Sequence, residues 1–244
     1  YPWLFLSLCM FGVAGTAGFR HIRLILEEGE VRALYTSINN KYVHTPKMVI
    51  DRYDISVEQK PESIESVVTM KGAALATSDV FTFCLNPGLK VEEVKEGEKT
   101  LDFKRDKQIL LVDFGRKIEG GDTVSLSVRY AGRIADNFCY LDIPAEVLQE
   151  PYEKELLKID KKYSFQTPDY VLFTPETYWY PRPGTAYSDI SPDWQQTYFS
   201  RFRLDVKPLP GLVAVSQSGN APYQSVSLII GRYEQKSFES DSTL

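Results

Sequence analysis

Val124-Ser125-Leu126-Ser127-Val128-Arg129-Tyr130 decides the fold. Apolar and polar side chains alternate with a period of two, so one set lines each face of a strand and one face is buried. The same pattern extends in both directions. Upstream, Tyr53, Ile55 and Val57 alternate with Asp54 and Ser56, and Ile64 to Met70 forms a second run. Val80 to Leu85, Leu89 to Val94, Leu101 with Phe103, and Ile109 to Phe114 follow. Downstream come Phe199 to Val206, Leu212 to Ser216 and Val226 to Tyr233. Turn chemistry separates the runs at Asn86-Pro87-Gly88, Glu119-Gly120-Gly121-Asp122 and Pro208-Leu209-Pro210-Gly211. Pro fixes φ there and Gly supplies φ > 0. Short strands spaced in this way predict a mainly β chain folded as an antiparallel sandwich or saddle.

Composition fits that reading and excludes others. The 244 residues carry 43% hydrophobic side chains, enough for one sizeable core. A net charge of −5 with no basic tract repels phosphate backbones, so nucleic acid is excluded as a partner. Cys9, Cys84 and Cys139 have neither a disulfide-framework nor a zinc spacing. Cys84 and Cys139 fall in strand-like runs, where they either pair or sit as buried free thiols.

Both ends of the β region differ from it. Residues Pro2 through Phe19 hold no charge, Trp3 stands at one end, and Arg20 and Arg23 bound the other. About 17 apolar residues is the short end of a membrane span, and Gly12, Ala14, Thr16 and Gly18 give small-residue spacings suited to helix packing in a bilayer. Residues 1–19 therefore read as a transmembrane helix. A signal peptide and a buried soluble helix remain alternatives. Residues 20–46 read as an amphipathic connector: a short helix over His21 to Tyr35, broken near Gly29, that lies along the membrane or covers the following domain, and then a polar stretch to Pro46. Ala145 to Ile159 has helical spacing interrupted by Pro151 and predicts a short helical insertion. Residues 47–236 form the β domain, and 237–244 read as a polar linker to a further domain.

Catalytic signatures are missing. The sequence has no His-Glu-x-x-His, no Cys-x-x-Cys and no phosphate-binding glycine loop. The two histidines, His21 and His44, have no acid or nucleophile at a recognisable spacing and read as exposed connector residues. Glu92 with Glu93, and Glu146 with Glu150, read as solvated faces rather than acid/base pairs. One loop stands apart: Thr174-Pro175-Glu176-Thr177-Tyr178-Trp179-Tyr180-Pro181, closed by Arg182-Pro183-Gly184. Tyr178, Trp179 and Tyr180 either plug the core or line a ligand site, because aromatics supply large amphipathic contact area.

The order of these stretches resembles the N-terminal β-domain of the M1 zinc aminopeptidases. The residues that carry the resemblance are Phe81-Thr-Phe-Cys-Leu-Asn-Pro-Gly-Leu89, then Leu126-Ser-Val-Arg-Tyr130-Ala-Gly132 and the loop Thr174 to Pro181. Phe202-Arg-Leu-Asp-Val206, Gly211-Leu-Val-Ala-Val-Ser216 and Ser227-Leu-Ile-Ile-Gly231-Arg-Tyr-Glu234 complete it. The apolar start resembles a bacterial subgroup in which an ABC-2-type permease is fused to the peptidase. The resemblance implies a non-catalytic domain anchored to the bacterial cell membrane. It would pack on a downstream M1 catalytic domain, which would hold the zinc, since no cofactor is expected in this chain. It also implies a peptide substrate whose free amine meets Glu176, with Tyr178, Trp179 and Tyr180 beside it. An ionised Glu opposite an ammonium makes a charge-assisted hydrogen bond, and Glu176 as a structural turn acid is the alternative. Thr174 stands where the family usually has Gln, and the Arg and Asp that normally follow are missing. The rival function is a non-enzymatic peptide- or protein-binding module of an ABC-2 permease.

Overall fold

The computed structural model describes residues 27, 29–143, 164–191, 198–217 and 221–234. The apolar start, the helical insertion over Ala145 to Ile159, the Glu146 and Glu150 pair, and the polar tail lie outside the described residues. Among those described, no helix is long and apolar enough to cross a membrane.

Alternation in the sequence becomes three sheets. The described strands are β1 (Met48–Gln59), β2 (Ile64–Ala74), β3 (Ser78–Cys84), β4 (Leu89–Glu96), β5 (Lys99–Thr100), β6 (Asp102–Asp106), β7 (Ile109–Ile118) and β8 (Thr123–Gly132). They continue with β9 (Ser164–Gln166), β10 (Val171–Phe173), β11 (Arg182–Pro183), β12 (Arg201–Lys207), β13 (Val213–Ser216) and β14 (Leu228–Gly231). The largest sheet runs β12-β1-β2-β8-β4-β5, the second β11-β3-β7-β6 and the third β13-β14-β10-β9. In β8, Val124, Leu126, Val128 and Tyr130 are buried in alternation, as the period of two requires. Tyr53, Ile55 and Val57 of β1 and Ile64, Val68 and Met70 of β2 join the same cluster, with Phe81, Phe83, Leu110, Val112 and Phe114 from the second sheet. Val171, Phe173, Leu228 and Ile230 bring in the third. Each such side chain gains about 1.5–3 kcal/mol on leaving water, which is why the three sheets share one core.

Four features correct or narrow the sequence reading. β12 pairs with β1 in parallel, Arg52 with Arg201 through Glu58 with Lys207, so the largest sheet is mixed rather than wholly antiparallel. Alternation fixes which face a residue occupies, not the direction of its neighbour. The short strands β5, β9 and β11 carry two or three residues each, too few to show a period. Cys84 and Cys139 are both free and buried, so the paired alternative falls. The fourth concerns the connector. Residues 29–42 are helical (α1), without a break at Gly29, and α1 runs past Tyr35 through the stretch read as polar.

α1 covers the domain. Arg32 donates to the carbonyls of Asn137 at 3.2 Å, Cys139 at 2.9 Å, Tyr140 at 2.5 Å and Ile143 at 3.0 Å. The Gln108 amide donates to Tyr35 O at 2.7 Å and to Asn39 Oδ1 at 2.8 Å, and Asn39 Nδ2 reaches Tyr187 O at 2.7 Å. Tyr35 packs edge-on against Phe138, 5.4 Å between centroids. Polarity in 36–42 therefore marks hydrogen bonds to the domain, not a solvated linker.

Gly72 is required by close approach. β1 bulges between Ile50 and Arg52 opposite Gly72, and a Cβ at Gly72 would lie 2.1 Å from Val49 O. Gly72→Ala forces the two backbones apart and should destabilise the protein by about 2 kcal/mol or more in urea unfolding, against the ~0.5 kcal/mol of a neutral substitution. A neutral result would mean that the bulge relaxes at no cost.

Candidate functional site

The loop after β10 is held from both ends. Thr174 is extended, and Pro175–Thr177 makes one 3₁₀ turn with Pro at its start, where a missing N–H costs nothing. Thr177 closes the turn, its Oγ1 donating to Thr174 O at 2.6 Å. Tyr178 then takes a left-handed conformation, φ 48°, which turns the chain inward. Trp179 and Tyr180 enter the core at 0% and 1% exposure. The Trp179 indole N–H donates to Val226 O at 3.2 Å, and Tyr130 Oη donates to Trp179 O at 2.8 Å. Arg182-Pro183 leaves the core as β11, paired with Cys84 and Phe83 of β3.

The turn Asn86-Pro87-Gly88 fastens this loop. The Asn86 Nδ2 group donates to Thr177 O at 2.9 Å and Ala135 O at 3.3 Å, while Oδ1 accepts from Gly88 N at 2.9 Å and Ala135 N at 2.8 Å. Its backbone N–H donates to Tyr178 O at 2.9 Å. One buried amide thus joins three segments of the chain.

Glu176 is half-buried at the head of the loop. No described residue donates a hydrogen bond to its carboxylate or pairs with it as a salt bridge. Burial raises its pKa, Arg182 opposes the shift, and Asp142 adds to it. Arg182 is stacked over the Tyr178 ring, 4.8 Å from its centroid, and donates to Pro175 O at 3.4 Å. Thr174 Oγ1, two residues from Glu176, is buried with no partner among the described residues.

The structure brings the four sequence-expected residues together in one loop but gives them different surroundings. Glu176 reaches solvent, whereas Trp179 has no exposed surface and Tyr178 is 6% exposed in a second cluster with Tyr35, Cys84, Phe138 and Ala186. Tyr180 touches Tyr53 edge-on at 5.3 Å, next to Phe202. His44 is exposed, and no described group of three or more His, Cys, Asp or Glu fits a metal ion.

Sequence reasoning missed two features. The first is Arg182, read only as the end of a turn. The second is a broad groove of about 1640 Å³ between β12 and the β13–β14 hairpin, with Phe199, Phe202, Leu204, Val215 and Tyr233 in its lining. Phe199 is 62% exposed and Val215 48%. Its one signal is Phe199, an exposed aromatic just before β12, whose own second face is polar with Arg201, Arg203, Asp205 and Lys207.

No family model and no curated protein matches this sequence. Solved structures share its fold. An M1 zinc metallopeptidase from Deinococcus radiodurans superposes with a TM-score of 0.54 at 14% identity, over 76% of this chain and 42% of that one. A mutant of that metallopeptidase bound to a Tyr-Ser-Ala substrate gives 0.52 at 15% identity, with the same coverage. A two-domain M1 zinc metallopeptidase mutant bound to L-tryptophan gives 0.53 at 14%, over 76% and 43%. The chain spans about two fifths of the length of these structures. At that identity the likeness is one of fold.

Two outcomes follow. Asn86→Asp turns two donors into acceptors facing the carbonyls of Thr177 and Ala135, and should cost about 3 kcal/mol or more in chemical unfolding. Wild-type stability would remove Asn86 as the fastener. Glu176 binds its proton more readily folded than unfolded, so it opposes folding increasingly as pH rises from the ordinary Glu range through its raised pKa. Glu176→Gln should therefore raise the melting temperature at neutral pH, with the gain vanishing below that range. An equal gain at every pH would remove the titration as its cause.

Proposed function

We propose that this chain is the non-catalytic N-terminal β-domain of a membrane-tethered M1-type zinc aminopeptidase. It packs on the catalytic domain and binds the free amine of the peptide substrate. One observation carries this reading. On a domain with the fold found in M1 metallopeptidase structures, Glu176 holds a half-buried carboxylate that no described donor reaches. A carboxylate in that position is costly for the fold alone and suited to an incoming ammonium, which supplies both charge and hydrogen bonds.

The chemistry divides between parts. In this reading a following domain would hold the zinc and supply the metal-activated water. Glu176 fixes the substrate's first residue, so that only the first peptide bond reaches that water. Trp179 and Tyr180 keep the loop from moving, because their polar atoms are bonded to the core at Val226. The groove between β12 and the β13–β14 hairpin, where exposed Phe199 and Val215 stand beside Arg52, Arg201 and Arg203, provides a face for the catalytic domain. The tether is residues 2–19, in the arrangement where a permease of the ABC-2 type is fused to the peptidase.

Glu176→Ala in the intact protein should lower aminopeptidase kcat/KM about tenfold to a hundredfold, the worth of one hydrogen bond to a charged group, while zinc content stays unchanged. Unaltered kinetics would take Glu176 out of the site. An intact protein that binds no zinc and releases no amino acid would instead favour the rival, a binding module of the permease.

A further inference from the structure

Arg32 is buried in this domain, and Arg105 and Arg182 are partly so; the first two follow a rule and the third departs from it. Arg32 is bonded to four backbone carbonyls, and Arg105 donates to Gln108 O at 3.0 Å, Leu85 O at 2.8 Å and Asn86 O at 2.9 Å. Arg182 has one carbonyl contact, at 3.4 Å, and the face of Tyr178. No described carboxylate lies within ion-pair distance of it. A cation withdrawn from water with so few partners is expensive.

Arg182 lines a small cleft with Lys47, Tyr53, Tyr180, Ser200 and Gln224. No described Asp or Glu lines it, in a chain whose net charge is −5. The Lys47 side chain crosses Gly184, where a Cβ would sit 3.4 Å from Lys47 Cδ, and its ammonium bonds to no described residue. Tyr53 is 3% exposed, its ring is stacked on Phe202 at 4.9 Å, and its hydroxyl bonds to no described residue. Tyr180 Oη meets only Val226 N, at 3.4 Å. The cleft volume is about 40 Å³, room for a few waters or one carboxylate group.

We propose that the cleft bounded by Lys47, Tyr53, Tyr180 and Arg182 binds a carboxylate group. Arg182 and Lys47 supply the charge and the Tyr53 hydroxyl donates a hydrogen bond. The carboxylate comes either from a small free acid or from an acidic side chain of a peptide or protein segment. The inference stands apart from the role of Glu176, which lines neither this cleft nor the groove.

The test is a titration of the full-length chain with sodium acetate, followed by calorimetry and by melting temperature, against sodium chloride at matched ionic strength. Saturable acetate binding is expected, weakened at least tenfold by Lys47→Met and several-fold by Tyr53→Phe, which keeps the ring stack. N-acetyl-aspartate amide separates the sources: binding shows that a side-chain carboxylate fits, and failure beside acetate binding restricts the cleft to small free acids. Chloride or inorganic phosphate acting as strongly as acetate would overturn the assignment. So would an acetate response that Lys47→Met leaves unchanged, or none at all.

Discussion

The side-chain amide of Asn86 uses every valence it has. Its two donors and one acceptor contact tie the 85–89 turn to Ala135 and Thr177, the other acceptor contact closes the turn on Gly88 N, and the adjacent backbone N–H holds Tyr178. The partners come from segments 49 and 91 residues away in sequence. A fully satisfied buried amide is specific in a way that apolar packing is not, because any shift of a partner leaves a polar group unpaired. The loop that carries Glu176 and Arg182 inherits its position from this contact. Trp179 and Tyr180 add the apolar half of the same anchorage. Glu176 is consequently held half out of water by a frame that makes no use of its charge.

The handling of positive charge follows from the same backbone. Arg105 donates to the carbonyls of Leu85 and Asn86, the second of which also accepts from Leu89 N, and burial pulls its pKa down to about 10 without neutralising it. Arg32 does this for the 137–143 segment and thereby fixes α1 to the domain. Both arginines substitute for backbone donors where irregular chain is buried, which is the requirement that every buried carbonyl imposes. Arg182 lies in β11, where strand pairing already serves the neighbouring carbonyls. Its guanidinium is therefore left over from the structural accounting, and a left-over charge is where binding chemistry is to be sought.

Sequence periodicity carried far, and its reach has a physical limit. The buried alternation of β1, β2 and β8 was legible because a half-buried strand stamps its two faces on the side chains. Asn86-Pro87-Gly88 was legible as a turn, yet not as a fastener, since its partners are distant. The parallel pairing of β12 with β1 was illegible, because Phe202, Leu204 and Val206 would alternate identically in either direction. Thr36 to Tyr42 read as a connector because its polar atoms bond to Gln108, Tyr187 and Asp106, which adjacency in sequence does not reveal. In the site, Glu176 came from family resemblance. The environment that singles it out, a carboxylate without a donor, is a property of the folded surroundings alone.

Burial also separates the two meanings of an aromatic loop. Tyr178-Trp179-Tyr180 has the same composition whether it frames a ligand or fills a core, and the polar atoms decide. A tryptophan whose N–H ends on Val226 O and whose carbonyl accepts Tyr130 Oη spends both handles on the protein. Tyr53 does not: burial and Tyr180 push its hydroxyl well above the ordinary range, Arg182 opposes them, and no described group accepts its proton. The same distinction applies to acids, where Glu93 meets Lys95 at 2.7 Å while Glu176 meets no cation within ion-pair distance. Function in this domain is thus traced through polar groups that the fold has withdrawn from water and left with few partners. Glu176, Lys47, Tyr53 and Arg182 are such groups, the last with one long carbonyl contact and the face of Tyr178.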